Sequence, residues 1–441
     1  MAEESIVLLK NDNHSLPLEA EISSIAVFGE DATLARLGGY SGTGNQVVSI
    51  LDGLQSSFPK TNFYYEKNVL LSDTSIQILP EDFSKVNGEN GFSAAYFSNS
   101  SCEGTPVFTR VDRQINFHWT LYAPDVRLNP HFYSVRWTGT YFAKKSENIT
   151  LGLRGNDGYR LYINGQLLID RWDKRSHHED LISYDFRKNE QYDIRVEFKE
   201  TQGNGWIQLI WKNCDLQKQK IQQKQISSWC KKAAANVVVV GIEEGEFNDR
   251  ASLRLSQQQE DLIHQVAKST QKTIVVLVGG SAINMTPWIE EVDGILAVWY
   301  PGESGGNAVA NILKGTVNPS GKLPITYPMS EAQLPLVYNH LPTGRGDDYR
   351  NLSGEPLFPF GYGLSYTSFQ FQYDSTQVRK QYQLGDTIRV QFNVSNTGSC
   401  DGAEVVQCYL KSLYATEIRS VQELVQFQKI SLKTGESKVI Q

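Results

Sequence analysis

The sequence predicts a multidomain fold, in which an α/β sandwich with a mostly parallel sheet is interrupted by an all-β sandwich and followed by a second β-sandwich. Three observations support this prediction. Short apolar runs alternate with helical patterns in two separate segments, the stretch between them is rich in aromatic residues that alternate with polar ones, and the tail is again strand-like. A length of 441 residues suits about three domains.

The α/β domain is predicted to combine residues 1–80 and 226–362. Its continuous apolar runs are "SIAVF", "NVVVV" and "TIVVLV", and a helical pattern, "SQQQEDLIHQVAKST", separates the last two. Continuous runs of this kind are typical of strands that are buried on both faces of a parallel sheet. The two segments therefore contribute strands and helices to one domain.

Residues 82–225 are predicted to form an inserted β-sandwich. Tyr, Phe and Trp are frequent there, and "YRLYING" and "YDIRVEF" alternate with a period of two between turn signals such as "NDG". Surface loops tolerate long insertions at little cost in free energy, so an insertion into a loop explains the interruption.

The tail, residues 363–441, is predicted to be a small β-sandwich. Its strand signals are "FQFQYDS", "TIRVQFNVSNTG" and "EVVQCYLK". The final residues, "GESKVIQ", resemble the middle of such a sandwich rather than its end, so we expect this domain to be truncated.

Composition narrows the classes of partner. The net charge is −7 and no basic run exceeds two residues, which argues against nucleic acid. The apolar runs fall far short of the ~20 residues of a membrane span, so no membrane is expected as a partner.

Five scattered cysteines without a C-x-x-C pair argue against a disulfide framework or a structural zinc site. The compartment stays open between a secreted or periplasmic and a cytoplasmic location.

An acidic stretch follows the run "NVVVV". In "GIEEGEFNDRASL" (residues 241–253) four carboxylates stand close together, and open α/β sheets bind ligands at the carboxyl ends of their strands. The alternative is a solvated acidic loop without chemistry. A second candidate is "GGYSGTG" (residues 38–44), which lacks the spacing of a phosphate-binding loop and is interpreted as a flexible loop whose glycines let a ligand approach.

Four blocks carry a resemblance to a known family: "ESIVLLKNDNHSLPL", "NDRASLRL", "YPGESGGNAVANILKGTVNPSGKLPITYP" and "PLFPFGYGLSYTSFQF". In order and spacing they resemble the C-terminal portion of glycoside hydrolase family 3, whose members are mostly β-glucosidases. The insert, with "GNDGYRLYINGQLLID", resembles the protective-antigen-type (PA-fourteen) domain. The tail, with "RSVQELVQFQKISLKTGES", resembles a fibronectin type III-like domain.

The resemblance implies a retaining β-glucosidase with two catalytic domains. A TIM barrel supplies an aspartate nucleophile; it would precede this chain, which is then either a fragment or one subunit of a split enzyme. The α/β domain supplies the acid/base glutamate, which in many members begins an E-G-x-D-R motif. Alignment on Asp249 and Arg250, which we expect to brace the loop, places Glu246 at that position, with Phe247 where glycine is usual. A shift of the loop would select Glu244 or Glu243 instead.

The resemblance also bears on ligands. We expect a β-linked gluco-oligosaccharide or an aryl glucoside as substrate, bound in part by Gly39, Tyr40 and Ser41. No metal and no organic cofactor are expected, and a homo-oligomer is compatible with the sequence. Two other functions stay open, namely a β-xylosidase or other exo-glycosidase of the same family, and a non-catalytic carbohydrate-binding or interaction protein.

Overall fold

A computed structural model describes the chain except for residues 43, 68–75, 120–121, 174–176, 213–215, 246–248, 270, 344–345, 375–380 and 384, and side chains are also left aside at 76–77, 216–220 and 374. The described residues form two compact units. The first comprises Met1–Val69, Ile221–Glu243 and Arg250–Gln441, and the second Leu70–Lys220 and Glu244–Asp249. The domain limits predicted from the sequence stay a prediction.

The first unit begins with two helices and three strands, joined by short 3₁₀ turns at Asp12–His14 and Glu30–Ala32. A serine at position 49 caps the second helix by accepting the backbone N–H of Asp52, which satisfies one of the free donors at the helix start. The elements are α1 (Ala2–Ser5), β1 (Val7–Asn11), β2 (Ser24–Phe28), α2 (Ile50–Ser57) and β3 (Asn62–Glu66).

The second unit is an antiparallel sandwich of two sheets. Trp137 and Val196 from one sheet share a buried core with Leu151 and Leu209 from the other. The strand orders are β13-β12-β15-β10-β5-β6, with β7 between β10 and β8, and β14-β11-β16-β4, with β9 on β16. The strands are β4 (Ile76–Ile78), β5 (Lys85–Val86), β6 (Glu89–Asn90), β7 (Phe92–Phe97), β8 (Phe108–Asp112), β9 (Asn116–Trp119), β10 (Tyr133–Phe142), β11 (Glu147–Gly155), β12 (Gly158–Ile163), β13 (Gln166–Arg171), β14 (His178–Phe186), β15 (Gln191–Glu200) and β16 (Gly205–Lys212).

The chain then completes the α/β sheet of the first unit. The strand order is β1-β19-β18-β17-β2-β3, in which β1 is antiparallel and the other five strands are parallel. Every residue of β2 and β17 is buried, which explains why both were continuous apolar runs. The elements are α3 (Leu216–Lys232), β17 (Ala235–Gly241), α4 (Gln257–Ala267), β18 (Lys272–Val278), β19 (Gly294–Trp299) and α5 (Gly305–Lys314), with 3₁₀ turns at Ile289–Glu291 and Glu331–Gln333.

The tail adds a small pair of sheets to the first unit. One has the order β20-β21-β24 and the other pairs β22 with β23, around a core of Val394, Ile430, Leu432 and Ile440. These strands are β20 (Phe369–Asp374), β21 (Gln391–Asn396), β22 (Gly402–Leu410), β23 (Glu423–Leu432) and β24 (Ser437–Ile440). Together the three β-rich or α/β regions confirm the predicted fold class.

Two features are absent from the described residues. Within them, no helix combines the length and the apolar character needed to cross a membrane. Nor do three or more His, Cys, Asp or Glu side chains come together in that part of the chain as a metal site would require.

Candidate active site

The candidate site lies at the carboxyl edge of the parallel sheet. Four adjacent strands, β2, β17, β18 and β19, end there, and the segments that follow them meet at the same edge. We call the sequence segment 242–250 the acid loop and residues 38–44 the glycine loop. The contacts described below are those of Ile242, Glu243 and Arg250 in the first unit, whereas Glu244–Asp249 group with the second unit. Glu246, the predicted acid/base, lies outside the described residues, as do Phe247 and Asn248.

The start of the acid loop is held by three neighbouring elements. The Ile242 N–H donates to the carbonyl of Val278 at the end of β18, at 2.8 Å. The Tyr300 hydroxyl, just after β19, donates to the carbonyl of Ile242 at 2.9 Å, and Gln259 on α4 donates to the carbonyl of Gly241 at 2.9 Å. The backbone at residues 241–242 is therefore bonded on several sides.

Arg36 joins two carboxylates from different strand ends. Its Nε donates to Asp31, which follows β2, and its Nη1 donates to Oε2 of Glu243 at 3.2 Å. The Asp31 side chain is 2% exposed, whereas that of Glu243 is 52% exposed. Burial raises the pKa of Asp31 against the opposing effect of Arg36. Burial disfavours the charged form of Arg36, but the carboxylates of Asp31 and Glu243 outweigh it and raise the pKa of Arg36.

The turn after β2 depends on a glycine. Gly29 has φ +103°, and a Cβ at that position would lie 2.0 Å from the carbonyl oxygen of Val239 on β17. Only glycine accepts both the positive φ and this close approach to a neighbouring backbone. The turn leads directly into the 3₁₀ segment that buries Asp31.

The end of the acid loop and the residues just after it are held by side chains from two other segments. Arg250 donates from Nη2 to the hydroxyl of Ser281, after β18, at 2.6 Å. The carboxylate of Glu331 accepts the Leu253 N–H at 2.6 Å and the Ser252 hydroxyl at 2.7 Å. Both ends of the acid loop are thus fixed to the scaffold by hydrogen bonds.

The glycine loop rests on the segment that follows β19. The Tyr300 ring lies against Gly38, where a Cβ would be 3.4 Å from the ring carbon Cδ2. Glu303 accepts the Asn45 N–H on Oε1 at 2.9 Å, and its backbone carbonyl accepts the Val48 N–H at 2.8 Å. Glu303, which lies just before α5, therefore connects the start of that helix with the residues that follow the glycine loop.

Loops that follow four strands come together at one edge of the parallel sheet, and the comparisons with known proteins assign the chain to a family. Residues 6–366 match the sequence profile of the glycosyl hydrolase family 3 C-terminal domain. This chain belongs to glycosyl hydrolase family 3. Residues 404–441 match the fibronectin type III-like domain, so the predicted family and fold class are confirmed. The likeness of the insert to the PA-fourteen domain stays a prediction.

Two relatives of this family 3 chain match nearly all of it. A xylan 1,4-β-xylosidase from Xylanibacter ruminicola is 30% identical over 455 aligned residues, covering 99% of the chain and 52% of that protein. A β-glucosidase from Kluyveromyces marxianus is 29% identical over 496 residues, covering 100% of the chain and 56% of that protein. The chain spans about half the length of these curated relatives.

A solved structure extends the likeness to the fold. The crystal structure of β-glucosidase from Kluyveromyces marxianus in complex with glucose matches with a TM-score of 0.72 at 26% identity. The match covers 100% of this family 3 chain and 56% of that chain.

The three substrate-binding residues predicted for this family 3 chain differ in their exposure to solvent. Gly39 is partly buried, whereas Tyr40, 62% exposed, and Ser41 lie at the surface. The Ser41 hydroxyl donates to the Leu37 carbonyl at 2.6 Å, which stabilises the turn of the glycine loop. Substrate binding by these three residues stays a prediction.

Sequence reasoning missed three residues that support the acid loop of this family 3 domain: Asp31, Arg36 and Tyr300. Arg36 stands only two residues before the glycine loop, but its partner Glu243 is 207 positions away. No spacing rule connects residues so far apart. Only the predicted parallel sheet could have indicated that these segments meet, because parallel strands bring the segments that follow them to one edge of the sheet.

The Glu331 contact gives a prediction for acid stability. The hydrogen bond from Ser252 lowers the pKa of Glu331 below its ordinary value of 4.5, although partial burial opposes the shift. Because the folded-state pKa lies below the unfolded-state value, the ionised carboxylate of Glu331 stabilises the fold above pH 4.5. This stabilisation is lost as the pH falls through the folded-state pKa. We expect Glu331→Gln to destabilise the first unit by about 1 kcal/mol at pH 7, given the partial exposure.

The difference between wild type and Glu331→Gln should shrink as the pH falls below 4.5, measured as the urea midpoint at a series of pH values. Glu19→Gln, which changes an exposed carboxylate in the same unit, is the matched control and should show no such trend. A difference that stays constant down to pH 3 would contradict the assignment.

Proposed function

We propose that this chain supplies the acid/base half of a retaining β-glucosidase that removes terminal, non-reducing β-D-glucosyl residues. One observation carries the proposal: an acidic loop, held at both ends, follows a parallel strand at the carboxyl edge of the sheet in a glycosyl hydrolase family 3 chain. Ligands of open α/β sheets bind at this edge. The match to the Kluyveromyces marxianus β-glucosidase, which covers 100% of the chain and 56% of that protein, supports the choice of sugar.

In the proposed mechanism Glu246 acts twice. It first protonates the departing glycosidic oxygen while an aspartate attacks the anomeric carbon and forms a covalent glycosyl-enzyme. The ionised Glu246 then takes a proton from water, which displaces the aspartate with net retention. Retaining glycosidases hold the two carboxyl groups about 5–5.5 Å apart. The aspartate would belong to a TIM barrel, in a preceding segment or in a separate subunit.

A β-linked gluco-oligosaccharide or an aryl glucoside is the proposed substrate, with Gly39, Tyr40 and Ser41 beside it. Exposed aromatic rings such as that of Tyr40 suit the apolar face of a sugar, because they offer contact area at a low entropy cost. A β-xylosidase is the second candidate, favoured by the match of the Xylanibacter ruminicola enzyme to 99% of the chain.

The first test measures hydrolysis of 2,4-dinitrophenyl β-glucoside by these 441 residues alone and together with the barrel. An activated leaving group needs little acid assistance, so the assay asks whether a nucleophile is present. We expect no turnover by the chain alone and turnover by the complemented enzyme. The same assay with the matching β-xyloside distinguishes the two candidate sugars.

Two results would contradict the proposal. Turnover by the chain alone would mean that a complete site lies within it. Silence of the complemented enzyme toward both aryl glycosides, although it is folded by circular dichroism, would favour the carbohydrate-binding alternative.

A further inference from the structure

We infer that Arg36 and Tyr300 are positioning residues that hold Ile242 and Glu243, the first two residues of the acid loop, against the segment that carries the glycine loop. The inference rests on the proposed function, because it concerns how the acid is aimed at the glycosidic oxygen. Neither residue needs to touch the substrate. Each bridges the segment that begins the acid loop and the segment that carries the glycine loop.

Arg36 provides a rigid link, because its guanidinium is fixed by the buried carboxylate of Asp31. Asp31 is almost fully buried and accepts Nε, so the planar group is oriented before it reaches Glu243. The remaining edge then donates from Nη1 to Glu243 at 3.2 Å. A guanidinium serves two carboxylates in fixed directions, which a lysine ammonium does not reproduce.

Tyr300 provides the second link with a different chemistry. Its ring lies against Gly38 and its hydroxyl donates to the carbonyl of Ile242 at 2.9 Å. Tyr300 directly follows an irregularity at the end of β19, where Val278 pairs with Trp299 after a register shift and Trp299 has φ +55°. Irregular strand ends often re-aim a side chain.

The two links converge on residues 242 and 243, just before Glu246. An error in the position of a general acid weakens proton transfer without affecting the nucleophile, and small displacements of a catalytic group are costly. The loss should therefore be large for substrates whose leaving group needs a proton and small for an activated aryl glucoside. Loosening the scaffold as a whole would affect both substrate types alike.

The test uses three conservative variants in the barrel-complemented enzyme: Arg36→Lys, Glu243→Gln and Tyr300→Phe. The first keeps a positive charge beside Asp31, the second changes an exposed carboxylate, and the third keeps the ring against Gly38. We expect each to lower kcat/KM for a methyl or glucosyl leaving group about tenfold, and for 2,4-dinitrophenyl β-glucoside less than about twofold. Arg36→Lys and Glu243→Gln should be non-additive, because they break the same contact.

Arg254→Lys is the matched control. Arg254 also pairs with a buried carboxylate of the first unit, Glu260, but no hydrogen bond or ion pair given for the described residues joins this pair to Ile242 or Glu243. The ratio of kcat/KM for the unactivated glucoside to kcat/KM for 2,4-dinitrophenyl β-glucoside should therefore stay as in wild type. Equal losses on both substrates in the three variants, or additivity of the first two, would overturn the inference. Azide rescue of Glu243→Gln would overturn it as well, because Glu243 would then be the acid itself. If the wild-type complex hydrolyses neither substrate, the proposed function has failed instead.

Discussion

Glu246→Gln is expected to abolish most hydrolysis of unactivated β-glucosides by the barrel-complemented enzyme. General acid catalysis contributes about 10²- to 10⁴-fold, and we expect kcat/KM for a methyl or glucosyl leaving group to fall within that range. The reason is chemical: an alkoxide is a poor leaving group without a proton, whereas a dinitrophenolate leaves unaided. For 2,4-dinitrophenyl β-glucoside the first step should be nearly unchanged, and a burst of dinitrophenolate should precede slow deglycosylation.

Azide separates this role from a loss of folding. Azide attacks the glycosyl-enzyme without a general base, so it should restore steady-state turnover of the dinitrophenyl substrate by Glu246→Gln and yield a β-glucosyl azide. Glu244→Gln is the matched control within the same loop and should need no rescue. Azide rescue of Glu244→Gln, with Glu246→Gln close to wild type, would assign the acid to Glu244 and show that Phe247 marks a shifted loop.

The α/β layer was the most predictable part of the chain. Continuous apolar runs such as "NVVVV" became β17, buried along its whole length, because a strand covered on both faces by other layers has no polar face to display. The alternating central stretch became a two-sheet sandwich for the complementary reason: one side of each strand faces the core and the other faces away. Burial of one or both faces of an element imposes a regular spacing of apolar residues, and this spacing can be recognised in the sequence.

The support of the acid loop was not predictable in this way. The sequence pointed to Glu246 through a resemblance and to Arg250 as a brace, but it gave no sign of the hydrogen bond from Arg250 to Ser281, 31 positions away. Asp31 stood in an ordinary acidic turn, and only the fold shows it buried beneath Arg36. The contacts of Arg36 with Glu243 and of Arg250 with Ser281 are single and long-range, so composition and spacing carry no trace of them. Asp31 and Arg36 are only five positions apart, but nothing in the sequence marks Asp31 as buried.

Removal of Arg36 altogether is expected to destabilise the first unit strongly. Arg36→Met leaves the carboxylate of Asp31, whose side chain is 2% exposed, buried without its cation. Breaking one partner of a buried ion pair costs about 3–5 kcal/mol, and we expect a loss near the lower end at pH 7. The loss should appear as a lower urea midpoint and as faster hydrogen exchange of the amides in β2 and β17.

The pH dependence and a second substitution test the cause. Burial already raises the folded-state pKa of Asp31 above its ordinary value of 3.8, and loss of Arg36 raises it further. A raised folded pKa means that the native state binds the proton more tightly, so stability falls as the pH rises through the interval between the two pKa values. The penalty of Arg36→Met should therefore be smaller at pH 4 than at pH 7. Asp31→Asn in the Arg36→Met background removes the buried charge and should recover most of the stability at pH 7. If the penalty of Arg36→Met is instead the same at pH 4 and pH 7, the packing of the Arg36 side chain, and not its pairing with the Asp31 carboxylate, stabilises this edge of the sheet.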